Sequence, residues 1–559
     1  MNTSAPGARS RYRLWSWLAR IVAAATISVV PATPGFSAER VKLQFGFLSR
    51  TVPVSSLVTF ANDGTVDEHL APFFQSLDDE TLATFQAALA TPRAEDPVAF
   101  SQKLYSPMGT RLLQSTGLTV RTGSGLNGQT ALRSALSQAM QAPEGGSVID
   151  LLRLFPTETI TVDLLRVLAV NRQLRRAIAE TDSFTASVVN QSSLDAENNP
   201  TDYAALPDLR DRGPYPVRFI PLNLVDERRD RPVPADLFLP EVPNADAGTI
   251  PIIVFSHGLG HSRIYFRDIA AHVASYGFAV AMPEHVGSNE TQRRELEAWL
   301  ADEFFQRREF VNRPQDVSFL LDELQRLNET QLGEQLNTES VGAIGHSFGG
   351  YTVLVNAGAT VDFDWLKAQC EPDAAFIANI SRLLQCRALE LENSPQDMAA
   401  LSQGTLRDER IKLVMAFNTV SNLFGQSGTA KIQVPTLIAG GVYDYVTPVI
   451  PEQAVTFAWL TTPEKYFLLV DQKAHSEEST RTLSQFIYSI EDDLELELAQ
   501  AWLRSNYGAL VVAFAQTHVA ERDEYRPYLA ASYVNYISQP PFSMHLIRDL
   551  SESSGLGEP

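Results

Sequence analysis

The stretch from Val341 to Gly350, VGAIGHSFGG, constrains the fold of this chain more than any other feature. Small and β-branched apolar residues run directly into the pattern Gly-x-Ser-x-Gly. This is typical of a buried parallel strand that turns sharply into a helix, with the serine at the turn. Gly345 and Gly349 would let neighbouring backbone pass close to that turn, because glycine has no Cβ. The stretch therefore predicts that Ser347 stands at the end of a strand in a parallel sheet.

Alternating strand and helix patterns surround this stretch. Apolar runs predict buried strands at 250–255, 278–282, 436–440 and 466–470, and amphipathic patterns predict helices at 267–274 and 317–324. Period-two patterns predict an antiparallel strand pair at 217–225 and 234–239. Such alternation gives a mostly parallel sheet with helices on both faces. We therefore predict an α/β-hydrolase fold for residues 213–559.

The rest of the chain divides around this region. Residues 39–191 carry apolar residues at helical spacing and predict a mostly helical N-terminal domain. The polar segment that begins SSLDAENNP predicts a linker at 192–212. Residues 360–431 predict a helical insert where a cap over the site would lie, and residues 485–559 predict a helical C-terminal tail.

The first 38 residues have the layout of a secretory signal peptide. Four arginines and no acidic residue precede the apolar run 21–30, and a Pro/Gly-containing stretch ends at Ala38. This run is about half the ~20 residues that a membrane-spanning helix needs, so we predict cleavage and export to the periplasm or beyond. An uncleaved anchor is the alternative. Export would allow Cys370 and Cys386 to form a disulfide, and two buried thiols are the alternative.

Composition and charge restrict the partners. Of the 559 residues, 44% are hydrophobic and 20% are charged, which is typical of a globular protein. The net charge of −21 would repel nucleic acid and strongly anionic membranes, so neither is an expected partner. A transient contact with a membrane surface or a lipid aggregate stays open. The sequence has no phosphate-binding glycine loop and no cluster of metal ligands, so no cofactor and no metal are expected.

A serine hydroxyl becomes an effective nucleophile only beside a base. In this fold an acid and then a histidine follow the serine, each on a loop after a later strand. His475 lies one short loop after the strand at 466–470, and Asp444 lies in the loop after the preceding strand. We therefore predict a triad of Ser347, Asp444 and His475. Asp471, only four positions from His475, is the alternative acid.

Two backbone donors should stabilise the negative charge on a substrate carbonyl oxygen. One is the N–H of Phe348, which follows the nucleophile, and the other should come from the loop after an early strand. There the sequence places His-Gly-Leu-Gly, so we predict Leu259 as the second donor, with Gly258 as the alternative. Leu259, Phe348 and Phe255 are apolar and would suit an acyl group. The histidines near these motifs are expected to orient loops, namely His257, His261, His285 and His346.

These motifs are similar to those of a known family. The segments 254–260 (VFSHGLG), 274–281 (ASYGFAVA), 284–285 (EH) and 345–350 (GHSFGG) resemble the plasma-type platelet-activating-factor acetylhydrolases, also called lipoprotein-associated phospholipases A2. The resemblance covers about 215–480 and implies the same triad and oxyanion donors as above. The chain also resembles bacterial exported hydrolases with a helical N-terminal domain of unknown function. That domain and the insert after the nucleophile depart from the acetylhydrolase pattern.

The sequence therefore predicts an exported serine hydrolase of carboxylic esters. The resemblance implies lipid-like substrates, with a phospholipase A2 or platelet-activating-factor acetylhydrolase type of activity on short or oxidised acyl chains. Three alternatives remain. The chain could be a general carboxylesterase or polyester hydrolase, an acyltransferase in which a lipid alcohol replaces water, or an inactive hydrolase fold that serves as an envelope binding protein.

Overall fold

The computed structural model describes residues 37–92, 95–142, 145–243, 245–371, 379–481 and 493–550. Residues 1–36, which hold nearly all of the predicted signal peptide, lie outside the described residues. Within the described ranges, no helix combines the length and the apolar character needed to cross a bilayer.

The N-terminal domain contains a small sheet as well as helices. Its four strands pair in the order β2-β1-β4-β3, with β1 and β4 parallel; they are β1 (Arg40–Phe45), β2 (Leu48–Pro53), β3 (Val120–Thr122) and β4 (Thr159–Asp163). Its helices are α1 (Val54–Asp63), α2 (Ala71–Phe74), α3 (Asp79–Ala90), α4 (Pro97–Tyr105), α5 (Pro107–Thr119), α6 (Gln129–Ala139) and α7 (Val148–Leu154). The prediction of a mostly helical domain missed this sheet, because strands of three to six residues carry little periodic signal.

A 35-residue helix, α8 (Leu164–Asn198), leads from this domain to the hydrolase region. The predicted linker is therefore wrong for residues 192–198, which continue the helix. Ser192 and Ala196 are buried, and Ser192 Oγ accepts a hydrogen bond of 3.1 Å from the backbone N–H of Leu546. The polar sequence concealed a helix because only one narrow face of it is buried.

The hydrolase region is built on a nine-stranded sheet. The strands are β5 (Val217–Leu222), β8 (Ala235–Pro240), β9 (Ile250–Ser256), β10 (Ala279–Pro283), β11 (Leu336–His346), β12 (Ile411–Phe417), β13 (Thr436–Gly441), β14 (Lys465–Val470) and β15 (Met544–Ile547). They pair in the order β15-β14-β13-β12-β11-β9-β10-β8-β5. The six strands from β14 to β10 are parallel, and β5, β8 and β15 pair antiparallel at the two edges. A two-stranded ribbon, β6 (Val225–Asp226) and β7 (Arg231–Pro232), forms the turn between β5 and β8. The sheet confirms the predicted fold class.

Helices cover both faces of this sheet. They are α9 (Arg267–Ala274), α10 (Glu290–Glu297), α11 (Glu309–Thr330), α12 (Phe348–Asn356), α13 (Phe363–Gln369), α14 (Ser381–Gln385), α15 (Pro395–Ser402), α16 (Gly425–Thr429), α17 (Val455–Trp459), α18 (Asp493–His518) and α19 (Ala531–Ile537). Alternate residues of β9 serve two cores. Ile252 and Val254 pack towards α8, α11 and α12, whereas Ile253 and Phe255 pack towards α9 and α18.

Two predicted boundaries are wrong. Residues 411–417 are not part of a cap but form β12, which lies between the nucleophile strand β11 and β13. Apart from Lys412, the run IKLVMAF is apolar, so periodicity could not separate it from a buried helix segment. The cap is thus limited to about 360–410. The C-terminal tail is not entirely helical either, because β15 adds the last strand to the sheet.

Candidate active site

Ser347 lies at the turn between β11 and α12, as the sequence predicts. Its backbone has a φ of 57° and a ψ of −120°, a strained conformation for a residue with a side chain. A Cβ at Gly345 would collide with the backbone of Gly349, and one at Gly349 would collide with the carbonyl oxygen of Ser256. The two glycines therefore permit the tight turn that places the serine hydroxyl at the edge of the sheet.

The structure brings the three predicted triad residues together. Ser347 Oγ lies 2.9 Å from His475 Nε2, and His475 Nδ1 lies 2.8 Å from Asp444 Oδ2. A carboxylate only accepts hydrogen bonds, so the proton of the neutral imidazole belongs on Nδ1 and Nε2 faces the serine hydroxyl as an acceptor. This arrangement lets the histidine receive the serine proton.

Asp444 is buried and fully hydrogen-bonded. Its Oδ1 accepts from the backbone N–H groups of Val446 and Thr447, both at 2.8 Å. Its Oδ2 accepts from Asn418 Nδ2 and from the Thr447 hydroxyl, both at 2.6 Å. Burial alone would raise the pKa of this carboxyl. The charge and hydrogen bond of His475 and the Thr447 donors oppose burial, and the pKa lies below its ordinary value.

Asn418 and Lys473 are supporting residues that the sequence interpretation missed. Asn418 follows β12 directly, with a φ of 46°, and was hidden when that strand was missed. The ammonium group of Lys473 is buried and donates to Asn418 Oδ1 at 3.2 Å. Burial lowers the pKa of Lys473 to about 8, although the negative charge of Asp444 acts in the opposite direction.

The alternative acid, Asp471, faces a different partner. Its Oδ2 lies 3.3 Å from His545 Nε2, and its backbone N–H donates to the carbonyl oxygen of Ser543. Asp471 thus connects β14 to the segment that enters β15. The carboxylate hydrogen-bonded to His475 is that of Asp444.

Two backbone N–H groups beside Ser347 are available as donors. Within the described part of the chain, neither Leu259 N–H nor Phe348 N–H donates a hydrogen bond. Phe348 follows the nucleophile, and the loop before Leu259 lies against it, because a Cβ at Gly258 would be 3.3 Å from Ser347 Cβ. These donors could hold an oxyanion. Three apolar residues were expected around an acyl group. The ring of Phe348 is fully buried, whereas Phe255 lines the cavity described below.

A fully buried arginine, Arg313 of α11, contacts both sides of this donor pair. Its Nη1 donates to the carbonyl oxygen of His257 at 2.7 Å, and its Nε donates to Ser288 Oγ at 2.9 Å. The guanidinium carbon lies 4.5 Å from the centre of the Phe348 ring. Arg313 therefore fixes the loop that carries Leu259 relative to the helix that carries Phe348.

Arg313 also sets the direction in which the loop amides point. The carbonyl oxygen of Gly258 accepts from His257 Nδ1 at 2.8 Å and lies 3.5 Å from Arg313 Nη2. In a trans peptide the C=O and the following N–H point in opposite directions. With the Gly258 carbonyl held towards Arg313, the Leu259 N–H faces away from it.

Behind the loop lies a second serine–histidine–aspartate arrangement. Ser256 Oγ is 2.9 Å from His285 Nε2, and His285 Nδ1 is 3.1 Å from Asp316 Oδ2. All three side chains are buried. Asp316 also accepts hydrogen bonds from Arg231, whose guanidinium pairs with the buried carboxylate of Glu309 as well.

The four histidines near the site are held neutral, as loop-orienting residues should be. Burial is the main cause, and it lowers the pKa of His257, His285 and His346 well below the ordinary value and that of His261 to about 4. His346 Nε2 donates to the carbonyl oxygen of His475 at 2.8 Å. The residue before the nucleophile thus positions the backbone of the base.

An apolar cavity of about 260 Å³ opens next to His475, on the sheet face covered by α9 and α18. It is lined by the backbone around Gly345, by His475 and by apolar side chains that include Phe255, Phe266, Ile269, Phe417, Leu503 and Val511. The polar and charged residues Asp268, Lys473, Glu477, Gln500 and Arg504 also line it. Apolar lining with a few polar groups is typical of a small-molecule site.

The cap is braced by a disulfide between Cys370 and Cys386. Met108 and Leu112 of α5 pack against Leu383 and Cys386, so the N-terminal domain contacts the cap at this bond. The helix α4 packs against α10, which begins beside the loop with Leu259. The N-terminal domain therefore adjoins both segments that border the site.

The chain has the α/β-hydrolase fold, with a serine, a histidine and an aspartate hydrogen-bonded in series at the carboxyl edge of its sheet. Residues 37–163 match the family described as alpha/beta hydrolase of unknown function (DUF1400), and residues 241–292 match platelet-activating factor acetylhydrolase, isoform II. The first match lies in the N-terminal domain. The second covers β9, the loop with Leu259 and β10, and ends before Ser347. Both matches support hydrolase activity of an esterase or lipase type.

Proposed function

We propose that this protein is a serine-dependent hydrolase of carboxylic esters with Ser347, His475 and Asp444 as its catalytic triad. The observation that carries the proposal is the unbroken series of short hydrogen bonds from Ser347 Oγ through the imidazole to Asp444, which begins at a strained turn. A neutral imidazole held in this tautomer is ready to accept the serine proton.

The reaction follows from this geometry. Ser347 Oγ attacks the ester carbonyl carbon while His475 Nε2 takes the hydroxyl proton. The N–H groups of Leu259 and Phe348 stabilise the oxyanion, a contribution of about 3 kcal/mol for each donor. His475 then gives its proton to the leaving alcohol oxygen. Water attacks the acyl-enzyme with His475 again as the base, and the acid is released.

For the substrate we propose a lipid-like ester with a short or oxidised acyl chain, such as a phospholipid cleaved in the manner of a phospholipase A2. The support is the apolar cavity beside His475 and the match of residues 241–292 to the acetylhydrolase family. A cavity of about 260 Å³ suits a short chain better than a long one. The disulfide supports a further proposal, that the protein is exported to an oxidising compartment.

Two measurements test this function. A fluorophosphonate probe should label Ser347 and no other serine, as read by mass spectrometry of the digested protein. A panel of phosphatidylcholines graded by the length of the second acyl chain, beside p-nitrophenyl esters, should give the highest kcat/KM for short chains. Labelling at another serine would refute the site. Equal rates on every acyl length would refute the substrate class and leave the triad standing.

A further inference from the structure

The N-terminal domain exposes large apolar side chains at one end of its sheet. Phe47, at the turn between β1 and β2, is 97% exposed, and its neighbours Phe45 and Leu48 are 48% and 59% exposed. Phe45 and Leu48 face each other across the β1–β2 pair. A globular protein seldom leaves such a cluster in water without a use for it.

The start of α8 extends this surface. The parallel register places Gln44 of β1 opposite Asp163, the last residue of β4, so the first turn of α8 lies beside Phe45. There Leu165 and Leu168 are 47% and 48% exposed. We call the side chains of Phe45, Phe47, Leu48, Leu165 and Leu168 the apolar tip.

Cations follow the apolar tip along the same helix. Residues 164–179 contain four arginines and no acidic residue, in a chain whose net charge is −21. Arg172 and Arg176 lie seven and eleven positions after Leu165, on the same side of the helix, and both are exposed. The acidic residues that flank this segment in the sequence are Asp163, which pairs with Arg121, and Glu180, which pairs with Arg176.

We propose that the apolar tip is a docking surface for a lipid bilayer that contains anionic lipid. Protruding Phe and Leu side chains with arginines behind them match the boundary between acyl chains and anionic headgroups. A convex hairpin end suits insertion between lipids rather than contact with a protein groove. The net negative charge elsewhere is screened beyond about 8 Å at physiological ionic strength, so the local positive charge governs the contact. The inference does not depend on the catalytic role of Ser347.

The first test is co-sedimentation of the full chain with vesicles of phosphatidylcholine containing one third phosphatidylglycerol. Phe47→Ser with Leu48→Ser should weaken vesicle binding by about tenfold or more, because two apolar side chains no longer enter the bilayer. Leu126→Ser is the matched control. Leu126 is 69% exposed in the loop at the opposite end of the same sheet, and its replacement should change binding less than twofold.

The second test separates the charge from the apolar contact. Arg172→Gln with Arg176→Gln should weaken binding to the anionic vesicles about fivefold and leave the weak binding to pure phosphatidylcholine unchanged. Arg326→Gln with Arg407→Gln, at surface ion pairs elsewhere, is the control. In Phe47→Trp, the emission of the new tryptophan should shift to shorter wavelength when vesicles are added.

Three results would overturn the proposal. One is vesicle binding by Phe47→Ser/Leu48→Ser equal to that of Leu126→Ser. Another is wild-type binding that does not respond to phosphatidylglycerol. The third is a change of oligomeric state in sedimentation velocity with vesicle binding unaltered, which would assign the apolar tip to self-association. Rates on a water-soluble ester should be the same in all these variants, so failure of the proposed hydrolase function would be recognised separately.

Discussion

Two serine–histidine–aspartate arrangements lie side by side in this protein, and they differ in the features that the proposed catalysis requires. Ser347, His475 and Asp444 are joined by hydrogen bonds of 2.9 and 2.8 Å, and Ser256, His285 and Asp316 are joined by bonds of 2.9 and 3.1 Å. Distances alone do not distinguish them. The difference lies in the backbone, in the surroundings of each imidazole and in the donors nearby.

The surroundings decide whether the histidine can act as a base. A base must hold a proton during the reaction. His285 is fully buried, and Arg313, Arg231 and Arg229 add repulsion, so its pKa lies well below the ordinary value. Around His475 the nearest charge is the carboxylate of Asp444, which stabilises an imidazolium.

The backbone decides whether the serine can reach a substrate. Ser347 stands on a turn with a positive φ, beside two unused N–H donors, and its partner His475 lines the apolar cavity. Ser256 lies at the end of a regular strand, its side chain is fully buried, and its backbone packs against Gly349. A hydrogen-bonded serine, histidine and aspartate therefore indicate a catalytic site only where a substrate can reach the serine and backbone donors can stabilise an oxyanion.

The first prediction compares the two serines. Ser347→Ala should lower kcat on a p-nitrophenyl ester by about 10⁴-fold or more, because the nucleophile is lost. Ser256→Ala should keep kcat within about threefold and lower the free energy of unfolding by about 1 kcal/mol through one lost hydrogen bond. Equal losses of activity in Ser347→Ala and Ser256→Ala would contradict the assignment of catalysis to the trio that contains Ser347.

The second prediction compares the two aspartates. Asp444→Asn should lower kcat by about 10⁴-fold, because the imidazole loses its tautomer and its counter-charge. Asp316→Asn should act on stability, because it removes one of the two buried carboxylates that pair with each of Arg231 and Arg229, a cost of about 1 to 3 kcal/mol in urea unfolding. A large loss of kcat in Asp316→Asn with little loss in Asp444→Asn would instead assign catalysis to the trio of Ser256, His285 and Asp316.

The third prediction concerns Arg313, which contacts the loop with Leu259 and the ring of Phe348 and whose charge also acts on His285. Arg313→Met should lower kcat by about 10- to 100-fold with KM nearly unchanged, because the Leu259 N–H acts on the transition state and loses its fixed direction. Arg313→Lys should restore part of the rate, since one hydrogen bond to the His257 carbonyl can be re-formed. A change confined to KM would contradict a positioning role.

The fourth prediction, with the smallest expected effect, compares two asparagines that donate to buried carboxylates, Asn418 and Asn312. Asn418→Ala removes the donor to Asp444 Oδ2 and should lower kcat about tenfold. Asn312 makes the corresponding bond to the buried carboxylate of Glu309 at 3.0 Å, and Asn312→Ala should leave kcat within about twofold. The measurement is kcat for both variants. Equal losses would contradict the view that a hydrogen bond to a carboxylate affects the rate only where that carboxylate contacts His475.

The sequence predicted the placement of Ser347, Asp444 and His475 because local patterns determine where each of them lies. The strand–turn–helix at Ser347 and the loops with Asp444 and His475 follow from strand order, which the alternation of apolar runs makes visible. The second trio could not be found in this way. Ser256, His285 and Asp316 are brought together by packing of separate elements, and no local spacing links them.

The missed fold elements have physical causes as well. The strand β12 is apolar on both faces because it lies in the middle of the sheet, so it lacks the alternation that marks a half-buried strand. Asn418 was missed with it. The small N-terminal sheet is built from short strands between helices, and its existence depends on pairing across more than 100 residues.

Of the nine strands of this sheet, β15 is the last in chain order. It lies beside β14, which leads to His475, and it is attached to α8 through Ser192 and Leu546. A nascent chain that has reached residue 540 already contains Ser347, Asp444 and His475. It still lacks the outermost strand and so leaves β14 unpaired on one side. Such a chain presents the open edge of β14 to other strands until residues 544–547 complete the sheet.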